Sequence, residues 1–329
     1  MNWETRCIRF CTWMLVCTLL FRLAVAGAFS PVGQLLGSPR AISFFLYLQT
    51  GRALRLEQDS AFPPIRFSPA ETRPAPPVPD KPHFRPEEAA ELPVYNRCGV
   101  APDLAKLLTE PLDWDLTGGP SVLILHTHGT ECYSPGPADD FQESSPYRTL
   151  DEAYNMLCLG SLVARRLEEA GIGVIHDTTL HDYPSYNDAY ANAAASTQDY
   201  LEQYPTVRLI LDLHRDAADT PYGQMVTQCS VGSETAAQLM FVVGTDAGSL
   251  SHPEWEENLS LALKLQILLE RENPGICRNL NLTANRYNQH LGDYALLIEI
   301  GAAGNTLSQA ALAAEELARA IIALKHGSI

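Results

Sequence analysis

Two spacings of apolar residues alternate along residues 121–329. Ser121-Val-Leu-Ile-Leu125 is a continuous apolar run, as a strand buried on both faces requires, and Val207–Leu213, Gln238–Val243 and Ala295–Ile300 read the same way. Between them the period lengthens. Met156, Leu159, Val163, Leu167 and Ala170 recur at steps of 3, 4, 4 and 3, one face of a helix over 154–170 that Gly171 stops. Ile172–Ile175 reads as a short strand, and helices are expected over 186–204, 256–271 and 306–325. Strand and helix in alternation predict an α/β domain: a largely parallel twisted sheet with flanking helices.

Upstream the texture differs. Arg6-Cys-Ile-Arg9 precedes Phe10–Phe29, twenty residues interrupted by the single charge of Arg22. At ~1.5 Å per residue that run crosses a ~30 Å hydrocarbon layer. Basic residues ahead of it place the N-terminus in the cytoplasm and the rest outside. Ala24-Val-Ala26 also offers the small residues of a cleavage site, so residues 1–30 read as a single-pass membrane anchor or as a signal peptide. Both export the remainder. Residues 31–60 form a membrane-proximal segment whose apolar Ala41–Leu48 is too short to span. Residues 61–93 hold ten prolines in 33 positions, which forbids helix and sheet ladders and predicts a semi-rigid linker. Residues 94–120 lead into the domain at 121–329.

Composition narrows the classes. Hydrophobic residues at 46% and charged ones at 19% exclude wholesale disorder and fibrous repeats. The formal charge of −16, from 23 basic against 39 acidic residues, falls wholly on residues 121–329 and argues against nucleic acid as partner. Five cysteines follow the N-terminal segment, an odd number without a C-x-x-C pair, and no disulfide is expected.

In open α/β sheets, ligands gather at the carboxyl ends of strands. Three ends here are polar. The first continues His126-Thr-His128-Gly-Thr-Glu131, another ends Asp212-Leu-His214-Arg215-Asp216, and the last contains Glu299 in Ala-Leu-Leu-Ile-Glu-Ile-Gly. His128 and Glu131 form an H-x-x-E step, and His214 completes the two imidazoles and one carboxylate that leave zinc's fourth position to water. His126 shares a strand face with His128, because alternation has period two, and is either a ligand or a support for one. Asp212 bears the same relation to His214. Glu299, in an apolar run, needs a partner or a chemical role, either as general base beside metal-bound water or in a buried salt bridge with Arg215. Arg215 either stabilises an oxyanion or pairs with Asp216. The cluster His176-Asp177-Thr-Thr-Leu-His181-Asp182 reads as a polar loop rather than a second metal site.

In order, Leu123-Ile-Leu-His-Thr-His-Gly-Thr-Glu131, Val174-Ile-His-Asp-Thr-Thr-Leu-His-Asp182, Leu211-Asp-Leu-His-Arg-Asp216, Tyr287-Asn-Gln289 and Leu297-Ile-Glu-Ile-Gly-Ala-Ala-Gly-Asn-Thr306 resemble the motifs of the stage II sporulation protein P family. The resemblance covers about residues 120–325 and departs at Gly129-Thr130, where bulkier polar residues are common. It implies a zinc-dependent N-acetylmuramoyl-L-alanine amidase of peptidoglycan, with endopeptidase action on cross-links reported for the family, active in spore engulfment alongside sporulation proteins D and M. It also implies the zinc amidase fold. Carried over by motif, the ligands fall on His128 or His126, Glu131 and His214, with Glu299 catalytic. The same donors would serve a zinc carboxypeptidase trimming wall peptides. A wall-binding scaffold with a degenerate site is the reading from a different class.

Overall fold

The computed structural model describes residues 81–136 and 139–329. The predicted anchor, the membrane-proximal segment and most of the proline-rich linker lie outside these residues. Among the described residues no helix is long and apolar enough to cross a membrane.

In chain order the elements are β1 (Val94–Asn96), α1 (Leu104–Thr109), β2 (Pro120–Leu125), α2 (Met156–Glu169), β3 (Gly173–His176), α3 (Ala189–Gln203) and β4 (Leu209–Asp216). The short pairs β5 (Asp219–Thr220) with β6 (Gly223–Gln224) and β7 (Gln228–Val231) with β8 (Glu234–Ala237) follow. Then come β9 (Leu239–Gly244), α4 (Trp255–Glu272), β10 (Leu280–Thr283), β11 (Ala295–Ala302) and α5 (Leu307–Ala323). Local chemistry sets several boundaries. Asn155 caps α2 by accepting from Leu157 N at 3.0 Å, and Thr306 with Gln309 forms the capping box that starts α5.

Seven strands make one sheet in the order β1-β10-β9-β11-β4-β2-β3. β11, β4, β2 and β3 run parallel, β9, β10 and β1 run parallel to one another, and the two groups meet antiparallel at β9–β11. The expected parallel sheet is therefore present, with one antiparallel joint. Alternation assigns the faces. Ile124, Leu211, Leu213, Phe241, Val243, Ile298 and Ile300 turn to the main core, which also holds buried residues of α2, α4 and α5. Leu123, Leu125, Ile210 and Ala295 turn the other way and pack with Ala193, Tyr200 and Leu201 of α3. On that side β9, β10 and β1 carry Met240, Val242, Asn281 and Tyr95 into an open cleft.

The folded unit also begins earlier than composition implied. Phe84 and Leu92, placed in the linker by proline density, are buried, as are Leu107, Leu108, Leu112, Trp114 and Leu116. A turn of 3-10 helix at Pro86–Ala90 carries Glu88, which meets Arg271 of α4 at 2.7 Å just before β1. Proline density here marks short turns docked on the domain.

Lys264 of α4 is fully buried and donates to Leu107 O at 2.7 Å and Ser260 Oγ at 2.8 Å, joining α4 to α1. Burial pushes its amine down to about 8 from 10.5. Between those pH values the unfolded chain binds a proton that the folded chain lacks, so stability rises with pH across that window. Thermal unfolding at about pH 7.5 and about pH 9.5 should therefore show wild type gaining stability relative to Lys264→Met as pH rises, by up to ~2 kcal/mol. A stability difference that stays constant between the two pH values would disprove the assignment.

Candidate active site

Three adjacent strands, β11, β4 and β2, deliver the polar residues to one end of the sheet. In β4 the even positions face α3, so Asp212 and His214 project together while Leu211 and Leu213 enter the core. Glu299 of β11 is the register partner of His214. The chain leaves β2 at Leu125, and a turn through residues 127–130 brings His128 over the same face. Two carboxylates hold that turn. Asp212 accepts from Thr127 N at 2.8 Å and Thr127 Oγ1 at 2.6 Å, and Asp182 accepts from Thr130 N at 3.2 Å and Thr130 Oγ1 at 2.5 Å.

The side chains converge on a cleft of about 710 Å³ lined by His128, Glu131, His214, Arg215 and Glu299. The imidazoles of His128 and His214 stand 5.4 Å apart and perpendicular. His214 Nε2 lies 3.0 Å from Asp212 Oδ1, which turns Nδ1 towards Glu131 Oε2 at 3.9 Å. Tyr186 stacks on His128 at 4.5 Å, and the Arg148 guanidinium lies 4.4 Å from the centre of the Tyr186 ring. His128 Nδ1 and Glu299 Oε2 are buried without a hydrogen-bond partner among the described residues. Glu299 therefore makes no salt bridge with Arg215, and an orphaned carboxylate oxygen at a cleft is a candidate for chemistry.

Electrostatics sorts these groups. Burial, reinforced by the charge of His214, pushes His128 down to about 3, so its ring is neutral. Burial also opposes charge on His214, but the adjoining Asp212 outweighs it and raises that imidazole to about 9. Burial opposes charge on Asp212 as well, but His214 and Thr127 offset it and hold that carboxyl at about 2. Burial drives Glu299 up to about 8. It raises Glu131 too, against the pull of Arg215, His214 and Arg148.

Among the described residues, no three His, Cys, Asp or Glu side chains stand as a set that could hold a metal ion as placed. The donor chemistry nevertheless suits zinc. His128 is neutral with an unpartnered Nδ1, and His214 is oriented by a carboxylate on one nitrogen with the other facing Glu131.

Other predicted residues are placed differently. His126 does not share a face with His128. Because β2 ends at Leu125, the intervening turn breaks the alternation, and His126 points into the main core side against α2. Its Nδ1 lies 3.1 Å from Leu213 O and its Nε2 2.9 Å from His176 Nε2, so it stands apart from His128, Glu131 and His214. Arg215 does not pair with Asp216, which binds Arg278 at 2.7 Å. Instead Arg215 Nε donates to Cys132 O at 2.9 Å and Nη2 to Tyr147 O at 2.7 Å, with Nη1 3.6 Å from Glu131. Two of its five N–H donors are used in this way, and the guanidinium stands beside Glu131 at the wall of the cleft. The His176–Asp182 cluster disperses as well: His181 bonds Asp177 at 3.0 Å, and Asp182 serves the turn. Cys132, beside Glu131, is a buried thiol pushed up to about 12 by burial. All five described cysteines are free.

Sequence reasoning missed Asp182, Arg148 and the tyrosines. Tyr186, in the 3-10 turn that leads into α3, and Tyr190, in the first turn of α3, carried the one usable signal, a spacing of four. Gln289 of the Tyr-Asn-Gln motif is structural: it accepts from Gly244 N at 2.7 Å and donates to Val242 O at 2.7 Å, closing the end of β9.

A family model described as stage II sporulation protein P matches residues 87–322. The stage II sporulation protein P of Bacillus subtilis (strain 168) is 28% identical over 208 residues, 60% of this chain and 49% of that protein. The match thus spans about half the length of the curated relative. Among solved structures, the N-acetylmuramoyl-L-alanine amidase AmiC2 of Nostoc punctiforme is similar over 62% of this chain and 96% of its own, at 14% identity and a TM-score of 0.37. An N-acetylmuramoyl-L-alanine amidase from Clostridium difficile 630 is similar over 63% and 96%, at 16% identity and a TM-score of 0.34. Overlaps this loose fix no residue correspondence.

The packing of His126 and His176 against α2 depends on Gly160, where a Cβ would collide with both Nε2 atoms. Alanine normally stabilises a helix interior by ~1 kcal/mol over glycine. Here overpacking should win, and Gly160→Ala should lose about 1–2 kcal/mol in denaturant unfolding. A neutral or stabilised variant would show that the rings yield freely.

Proposed function

Because the chain belongs to the stage II sporulation protein P family, we propose that it is a peptidoglycan hydrolase of sporulation, and more narrowly a zinc-dependent N-acetylmuramoyl-L-alanine amidase. The observation that carries this reading is the orphaned Oε2 of Glu299, set beside His214 and lining the same cleft as His128 and Glu131. His128, Glu131 and His214 would hold the metal. Zinc, when bound, supplies Lewis acidity and lowers the pKa of its water towards ~7.

The chain's own residues do the rest. The Asp212 carboxylate, 3.0 Å from His214 Nε2, keeps that imidazole beside the turn that carries His128. Arg215 and Arg148 hold Glu131 against its burial cost. Glu299 takes the proton of the attacking water on its free Oε2 and returns it to the departing amine of L-alanine, as acid–base reciprocity requires. A nearby dication would lower its pKa from the metal-free position and keep the carboxylate ready to accept. Tyr190 and Tyr287, which line the cleft beside His128, offer aromatic surfaces to a sugar ring.

Residues 10–29 would tether the enzyme to the membrane with the domain outside the cytoplasm, and the family suggests sporulation proteins D and M as companions. Incubating the purified full chain with cell-wall sacculi and analysing products by mass spectrometry tests the activity. Whole stem peptides should be released, and chelator should stop the release. Glu299→Gln should cut the rate by ~10²–10⁴-fold while retaining zinc, whereas His214→Ala should lose zinc and activity together. Undiminished digestion by Glu299→Gln, or release of terminal amino acids only, would refute the amidase assignment.

A further inference from the structure

The cleft continues past Glu299 over the half of the sheet that α3 leaves bare. Register lays out its floor. Leu297 of β11 adjoins Val242 of β9, Val242 adjoins Asn281 of β10, and Asn281 adjoins Tyr95 of β1. All four line the cavity, as does Met240, the partner of Glu299. Three strand spacings of ~4.8 Å and two residues along the strand put Tyr95 ~16 Å from Glu299. That is the span of four to five extended peptide residues at ~3.3–3.6 Å each.

The chemistry changes along this floor. Near Glu299 it is apolar. Further out, Asn281 carries an Oδ1 that is buried without a hydrogen-bond partner among the described residues. At the far end Tyr95 is 51% exposed, and the Arg97 guanidinium stacks over its ring at 4.7 Å. Arg97 N donates to Leu282 O at 3.0 Å, so the β1 ladder continues through it and alternation keeps Tyr95 and Arg97 on the cleft face. Arg278 also lines the cleft but commits Nη1 to Asp216. Among the described residues, Arg97 has no carboxylate partner. In a chain of net charge −16, an unpaired guanidinium at the end of a groove is a local exception.

We infer that this arm is the peptide subsite and that Arg97 receives a free carboxylate four to five residues from the scissile amide. The inference rests on the amidase reading for the identity of that amide. It goes beyond that reading in making Arg97 a specificity residue. A stem whose terminal carboxyl is already consumed in a cross-link offers no charge there and is the poorer ligand. Asn281 supplies an acceptor for a backbone N–H midway.

The test is binding, measured separately from catalysis. A fluorescent wall tetrapeptide, as free acid and as C-terminal carboxamide, is titrated against the full chain in detergent. The acid should bind about fivefold more tightly. Arg97→Met should erase the difference, and Arg97→Lys should restore part of it. Equal affinity for acid and amide, a preference that survives Arg97→Met, or no binding of either probe would overturn the inference. Cleavage of the matching muramoyl tetrapeptide is scored in parallel. A binding preference without cleavage would support the subsite and remove the amidase reading instead.

Discussion

Asp212 is the constraint on which the site depends. One buried carboxylate on β4 accepts two hydrogen bonds from Thr127 and faces His214 Nε2. It therefore joins the loop after β2 to the end of β4, and His128 and His214 reach the same space because of it. A buried anion of this kind is costly unless paired and hydrogen-bonded, and Asp212 has Thr127 on each oxygen and His214 3.0 Å away. Removing any one partner would leave the others to bear the desolvation penalty. Asp182 repeats the arrangement at Thr130, so the turn carrying His128 is pinned at both ends.

The second organising feature is the antiparallel joint between β9 and β11. Strands on one side of it end at the site and receive α3 on that face. Strands on the other side run in the opposite sense and leave their face to the cleft. One sheet thus provides a chemical end and a flat approach to it, without a second domain. Residues that differ in chemistry are thereby separated: imidazoles and carboxylates at the strand ends, apolar and amide groups across the open strands, a guanidinium at the edge.

What the sequence disclosed follows from burial. Long central strands and the helices beside them show strong apolar periodicity, so β2, β4, β11, α2, α4 and α5 were legible, as were the polar residues interrupting those strands at His128, His214 and Glu299. The strands β1 and β10 were not. Val94-Tyr-Asn96 and Leu280-Asn-Leu-Thr283 are short, half polar and set among turn residues, because one face of each meets the cleft. His126 was misplaced for a related reason: alternation holds only while the strand lasts, and β2 ends one residue before it. Asp182 and Arg148 act across the fold on residues 52 and 17 positions away, beyond the reach of any local spacing.

The pair of Glu88 and Arg271 takes on a mechanical meaning once the order of the chain is considered. It lies just upstream of β1, the outermost strand, which is held by three register pairs to β10 and forms the far wall of the cleft. A pull on the chain from its N-terminal side would, without that pair, fall on the end of β1 and peel it off one rung at a time. With Arg271 gripping Glu88 through both carboxylate oxygens at 2.7 and 2.8 Å, the load passes into α4 and the main core first. The ion pair acts as a strain relief, letting the far wall of the groove keep its shape under such a load.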